Sequence, residues 1–251
     1  MMKQFVVTPS MGKRLIAKGI VQLPAVREAM TKGILAIVAG TTNAYVAQEV
    51  LAALGQADGF SPAGFRRGMV TPPRFDLGSI TCPFPGDVVI VDGQWQRGKE
   101  LFDFADAMKA GDVILKGANA LNLDRGQAAI LIAHPTGGTA LAAVPAVVGK
   151  RARLIVPVGL EKRVSGELDV LAARVNDPGT TGPRMMVLPG EVFTELHALE
   201  RLTGATAHLL AAGGVCGAEG SVWLGVTGAD DAVVAAENLL ASLANEGLCR
   251  P

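Results

Sequence analysis

Five short apolar runs, ILAIVA, DVVIV, DVIL, AAILIA and ARLIVPV, recur between residues 34 and 158, and none of them alternates apolar with polar. A strand with one face in water alternates, so a run without alternation belongs to a strand covered on both faces. A parallel sheet sandwiched by helices meets that condition, and helical stretches separate the runs: Ala44 to Leu54, Lys99 to Ala110, and Thr139 to Gly149, where Pro145 should kink or shorten the last. The expected fold class is therefore α/β, an open, mostly parallel sheet with helices on both faces and right-handed crossovers.

The composition agrees. Hydrophobic residues make up 49% of the chain and aromatics only 4%, so the core must be aliphatic, and 31 glycines suit close packing of thin layers. Met11 to Lys32 is helical, with Pro24 opening a second segment and Gly33 stopping it. Residues 55–85 are rich in Gly and Pro and lack either periodicity, which marks a functional loop, a lid or a small insertion; Arg66, Arg67 and Arg74 within it are candidates to reach an anion. A main domain is expected over 1–175. After the turn-rich stretch Asn176 to Arg184, residues 184–251 follow the order strand MMVLPG, helix EVFTELHALERLTG, strand ATAHLLAAGG, strand SVWLGVTG and helix DDAVVAAENLLASL, with the hairpin turn at GGVCGAEGS. That order predicts a ferredoxin-like β-α-β-β-α appendage packed on the main domain.

Several function classes are excluded or disfavoured. Lys plus Arg equals Asp plus Glu at 23 each, which leaves no electrostatic footprint for nucleic acid or an anionic membrane. Cys82, Cys216 and Cys249 are odd in number and widely spaced, so neither a disulfide framework nor a zinc site is expected, and a reducing cytoplasm is the natural compartment. No apolar stretch reaches the ~20 residues of a membrane span. GGVCGAEGS leads into another strand rather than a helix, and GTTN lacks the GxGxxG spacing, so no dinucleotide or other cofactor is expected.

Two glycine turns carry the functional expectation. Gly40-Thr41-Thr42-Asn43 joins a strand to a helix start, where unpaired amides and the helix dipole suit a phosphate or carboxylate. His134-Pro135-Thr136-Gly137-Gly138-Thr139 likewise follows an apolar run and precedes a helix. If both strands are parallel members of one sheet, both turns lie on its carboxyl edge, where open α/β folds bind ligands. Between them DVILKGANALNLDRG places Lys116 at a strand end, followed by Gly117, Asn119 and Asp124. Lys116 is read as charge balance and Asp124 as the first acid/base candidate, although Asp124-Arg125-Gly126 also reads as a plain turn. Lys162, after the strand RARLIVPVG, is a further ligand contact. His197, His208, Cys82 and Cys216 fit packing or surface positions better than catalysis.

These motifs resemble the superfamily of ribose-5-phosphate isomerase, glucosamine-6-phosphate deaminase, methylthioribose-1-phosphate isomerase and the coenzyme A transferases. The resemblance covers about Gly33 to Lys162: GTTN is similar to the family's phosphate-cradling turn, DVILKGANALNLDRG to the isomerase strand that runs into a Gly-Ala-Asp turn, and RARLIVPVGLEK to the later strand ending near a lysine. It implies an enzyme acting on a phosphorylated or carboxylated small molecule. Asn119 stands where the isomerases carry an acidic residue, and an amide is no general base, which leaves Asp124, Asp92 or Glu161 to substitute. Glu219, in GAEGS, is the nearest counterpart of the transferases' acyl-forming glutamate but lies in another part of the chain. The alternative expectation is a binding or regulatory protein that uses the same cleft without turnover. A homo-oligomer is expected on either reading, since the high aliphatic fraction leaves surface to bury.

Overall fold

The computed structural model describes residues 1–67, 70–71, 73–76 and 82–247, so Cys249 and part of the 55–85 segment lie outside the described residues. Its first half runs β1 (Lys3–Val7), α1 (Pro9–Val21), α2 (Pro24–Thr31), β2 (Ile34–Ile37), α3 (Thr41–Ala53), β3 (Val88–Val91), β4 (Gln94–Trp95), α4 (Leu101–Phe104), β5 (Val113–Leu115), β6 (Ala120–Asn122) and β7 (Gln127–Ile132). The second half runs α5 (Gly138–Val144), β8 (Arg153–Pro157), α6 (Leu168–Val175), β9 (Arg184–Val187), β10 (Glu191–Phe193), α7 (Glu195–Thr203), β11 (Thr206–Ala212), β12 (Val222–Thr227) and α8 (Asp230–Ser242).

The architecture is mixed α/β around a six-stranded sheet of order β10-β8-β5-β2-β3-β4. Its four central and left-hand strands, β10, β8, β5 and β2, are parallel, whereas β3 is antiparallel to β2 and β4 to β3. The unalternating sequence of these strands matches their burial: Leu35, Ile37, Ile90, Ile114 and Leu115 are all fully buried. Each such side chain contributes about 1.5–3 kcal/mol by leaving water. Two three-stranded antiparallel sheets complete the fold, β1-β12-β11 and β6-β7-β9. Leu15, Ile16 and Ile20 of α1 join residues of the central sheet and Leu224 and Val226 of β12 in one continuous core.

Local signals explain the boundaries that were legible. The Thr8 side chain accepts from the Met11 amide and Pro9 occupies the first turn of α1, while Gly204, at φ 74°, ends α7 in the left-handed region. Pro145 ends α5, and the chain continues as a π-turn over 145–149.

Four expectations require correction. AAILIA forms β7, which is not a member of the central sheet: only residues 123–126 separate it from β6, and so short a turn permits antiparallel pairing alone. The helical stretch Lys99 to Ala110 forms only α4. EVF, read as the start of a helix, is the strand β10, because Phe193 buries its ring beside β8 in register with Pro157. Residues 184–251 do not form a ferredoxin-like unit, since β9 pairs with β7, β10 joins the central sheet, and β11 and β12 pair with the N-terminal β1. Strand pairing over such sequence distances leaves no local trace.

Candidate functional site

The carboxyl ends of β10, β8, β5 and β2 lie along one edge of the central sheet, and the amino end of the antiparallel β3 lies there too. Val38 donates its amide to the Leu115 carbonyl, which sets the turn after β2 directly against the end of β5. Asn43, in the first turn of α3, is 1% exposed and donates through Nδ2 to both the Val38 and Leu115 carbonyls, at 2.7 and 2.9 Å. One amide thus rivets helix, turn and two strands. Gly40 is extended at φ 174° and accepts from Ala44, so α3 begins at Thr41. The amides of Thr41, Thr42 and Asn43 have no intrahelical acceptor, and Thr42 Oγ1 is buried with no partner among the described residues.

Asp87, just before β3, is the anionic member of this edge. Its carboxylate accepts from the Ala39 amide at 2.9 Å and the Leu101 amide at 2.9 Å, and it pairs with Arg67 Nε at 3.2 Å. Arg67 also reaches Glu100 at 2.8 Å. Burial alone would lower the Arg67 pKa, but the bonds to and charges of Asp87 and Glu100 outweigh it and raise the value. Arg67 is therefore tied to the site through an ion pair.

Lys116 leaves the end of β5 and is 5% exposed. Its amide donates to Ile155, and its Nζ donates to Thr139 Oγ1 at 2.9 Å, its one side-chain hydrogen bond among the described residues. That bond brings the second glycine turn to the end of β5, although its strand belongs to another sheet. Gly137 and Gly138, at φ 81° and 53°, turn the chain through a conformation that side chains disfavour, and this sets Thr139 pointing inward. Burial lowers the Lys116 pKa from 10.5 to about 8; the Asp87 charge acts upward, and the Arg67 charge acts downward.

Further along the same edge, Glu195 opens α7 at the end of β10. It is 2% exposed and accepts from the Leu160 amide at 3.0 Å. Gly12 of α1 leaves room for this carboxylate, since a Cβ there would lie 2.5 Å from Glu195 Oε1 and push it aside. Burial, followed by the charge of Glu161, raises the Glu195 carboxyl to about 8. Lys162 donates to the Ala118 carbonyl at 2.8 Å, and burial lowers its pKa. Through Ala118 this cluster adjoins the turn that follows Lys116.

The sequence-derived candidates thus divide. The turns Gly40–Asn43, Lys116–Gly117 and Gly137–Thr139 are tied to the end of β5 by the bonds of Asn43 to Leu115 and of Lys116 to Thr139, and Lys162 bonds Ala118 just beyond. His134 and Thr136 are on the exposed outside of the second turn, where Thr136 bonds the imidazole Nδ1. Asn119 is committed to structure, its Oδ1 accepting from Leu131. Asp124 sits at the exposed tip of the β6–β7 hairpin, and Asp92 caps the opposite end of β2 by accepting from Gly33. Glu219 is in the exposed β11–β12 turn, where it accepts from Gly217.

Sequence reasoning missed Asp87, Glu100 and Glu195. An Asp before an apolar strand reads as a turn, and an acidic residue in a helix's first turn reads as a complement to the dipole. Of the ion-pair group Asp87, Arg67 and Glu100, Arg67 alone had been marked. Two surface concavities of about 270 and 410 Å³ lie elsewhere, on either side of β10 and α7 around His197 and Glu200. Their polar lining is His197, Glu200 and Thr206 in the first and Glu191, His197, Glu200 and Arg201 in the second, whereas the carboxyl edge combines deeply buried ionisable groups with a helix start and is the stronger site on chemical grounds.

Comparison with family models, curated proteins and solved structures finds no match for this chain. Among the described residues, no helix is long and apolar enough to cross a membrane.

Proposed function

We propose that this protein binds a small phosphorylated or carboxylated metabolite at the carboxyl edge of its central sheet and acts on it as an isomerase- or transferase-type enzyme. The observation that carries this reading is the buried bond from Lys116 to Thr139, which joins the second glycine turn to the strand end beside Gly40–Asn43. A buried ammonium with a neutral partner, next to the unpaired amides of a helix start, is a site short of negative charge, and an anionic ligand supplies it. The resemblance of these turns to the sugar-phosphate isomerase and coenzyme A transferase superfamily supports the same ligand class. With Asp124 and Asn119 turned to structural positions, Glu195 and Glu161 become the acid/base candidates.

The position of Asp124 also favours a second reading, in which the site binds its metabolite without turnover. Calorimetry with ribose 5-phosphate tests the cradle: replacing both Thr41 and Thr42 by Ala should weaken binding by at least about tenfold, the worth of one to two hydrogen bonds to a charged group. Unchanged affinity rejects the cradle, and an NMR time course of the bound sugar phosphate separates enzyme from sensor. Self-association belongs to this reading as well, supported by the outward face of β1-β12-β11, where Val6, Leu210 and Trp223 are exposed.

A further inference from the structure

We propose that Lys116 is a covalent nucleophile, its amine condensing with the carbonyl carbon of a small aldehyde or ketone that also bears a phosphate or carboxylate. The inference rests on the anion site above and narrows its ligand to carbonyl compounds.

A lysine that serves only to balance charge is held by a carboxylate. Lys116 is not: Asp87, the acidic group that acts on it electrostatically, is bonded to Arg67 and to the amides of Ala39 and Leu101. The guanidinium of Arg67 acts against the ammonium from the same side. Thr139, a neutral hydroxyl, is the remaining partner among the described residues. Burial without an ion pair is the arrangement that frees an amine for attack on carbonyl carbon. At pH 7.5 a lysine titrating near 8 is about one quarter neutral, against about one in a thousand for an exposed one. At the turn that Val38 and Asn43 set against the end of β5, no described atom lies within 4 Å of where a Cβ on Gly40 would be. A ligand anion at the first turn of α3 would hold its carbonyl within reach of the strand end.

The chemistry balances without a cofactor. The Nζ lone pair forms the C–N bond while the carbonyl π pair moves to oxygen, which takes a proton, and nitrogen loses one. The carbinolamine then expels water to give the imine. Thr139, already bonded to Nζ, positions the amine and is placed to pass the proton.

The full-length chain would be incubated separately with dihydroxyacetone phosphate and with pyruvate, reduced with sodium borohydride, digested with trypsin and weighed. Hydride addition to the imine carbon fixes the adduct as a secondary amine. The expected product is an uncleaved peptide over 110–125, heavier by the probe less one oxygen atom, in clear excess over adducts at the exposed Lys99 and Lys109. Its yield should rise with a midpoint near pH 8, the value to which burial brings this amine. The two probes show whether the site prefers phosphate or carboxylate. No adduct at Lys116 with either probe, or one no greater than at Lys99 and Lys109, overturns the proposal.

Calorimetry with inorganic phosphate, run in parallel, keeps the two ideas apart. Phosphate binding without an adduct rejects the imine and leaves the anion site standing; neither binding nor adduct rejects both. Lys116→Arg removes the amine, so it should lose the adduct on the peptide over 110–125 while the weak adducts at Lys99 and Lys109 persist. Should that variant fail to fold, the wild-type peptide map and its pH profile decide alone.

Discussion

Replacing Lys116 by Met should make the protein more stable at neutral pH. The side chain is 5% exposed, and its ammonium is held at a pKa of about 8 against 10.5 for the free group. Keeping the charge buried below pH 8 therefore costs about 3 kcal/mol relative to the unfolded chain. Met fills a similar volume without the charge, and loss of the bond to Thr139 returns about 1 kcal/mol of that gain. The net expectation at pH 7 is about 2 kcal/mol of added stability, read from the urea midpoint at constant slope. Between pH 8 and 10.5 the folded wild type binds fewer protons than the unfolded chain, so its own stability rises with pH across that window. The advantage of the variant should shrink accordingly and be gone by about pH 10.5. A variant that is less stable at pH 7, or whose advantage is the same at pH 7 and pH 10, would refute the claim that burial costs this lysine its proton.

Two further perturbations test the rest of the edge. Glu195 is raised from 4.5 to about 8, so between those values the folded chain binds more protons than the unfolded one, and stability falls as pH rises, by about 5 kcal/mol in all. Glu195→Gln should abolish that slope, matching the wild type near pH 4.5 and exceeding it above pH 8 in urea titrations; a slope that persists in the variant assigns it to another group. Asp87→Asn removes the charge that holds Arg67 and accepts from Ala39 and Leu101. A loss of about 2–4 kcal/mol is expected in urea unfolding, because two buried amides keep only a weaker or misdirected acceptor. Since the Asp87 charge acts to raise the Lys116 pKa, the variant should also shift the pH midpoint of lysine trapping downward, and an unmoved midpoint would show that the two groups are not coupled.

The central strands were legible because they are buried on both faces, and unalternating runs such as ILAIVA and ARLIVPV arise for that reason alone. The first turn was legible for a local reason also: strand, glycine, two threonines and an asparagine spell a helix start, and Asn43 does bind the strand end. The second turn was found by its residues but placed by a mistaken premise. Its strand is as apolar as the others, and composition does not tell a hairpin partner from a parallel neighbour. The four residues after Asn122 did contain that information, since Asp124-Arg125-Gly126 is turn chemistry and so short a connection forbids a crossover. β10 was lost because three residues are too few to show a period, and β1 because its partner, β12, lies over 200 residues away. Glu195 was out of reach for another reason. Nothing near it in sequence hints that α1 presents Gly12 to it, and its burial is a property of the assembled helices.

Lys116 and Glu195 bear on the proposed chemistry together. Each is brought to about 8 from the opposite side, one amine and one carboxyl, and each makes the fold less stable at some pH than an apolar residue would. If burial of charge were an accident of packing, the cheapest repair would be to pair these two groups with each other. Instead they occupy the ends of β5 and β10, with β8 between them, so their backbones stand about 10 Å apart, the width of two strand spacings. Glu161 and Lys162 fill part of the interval at the end of β8, and Glu161 acts to raise rather than lower the Glu195 carboxyl. A neutral acid and a partly neutral amine held that far apart are poorly placed for each other but well placed for opposite ends of a small molecule. Groups whose environments drive them toward working pH while keeping them separate are the usual signature of divided acid/base labour. Glu195 keeps the bond from the Leu160 amide and Lys116 its bond to Thr139, and neither forms an ion pair among the described residues.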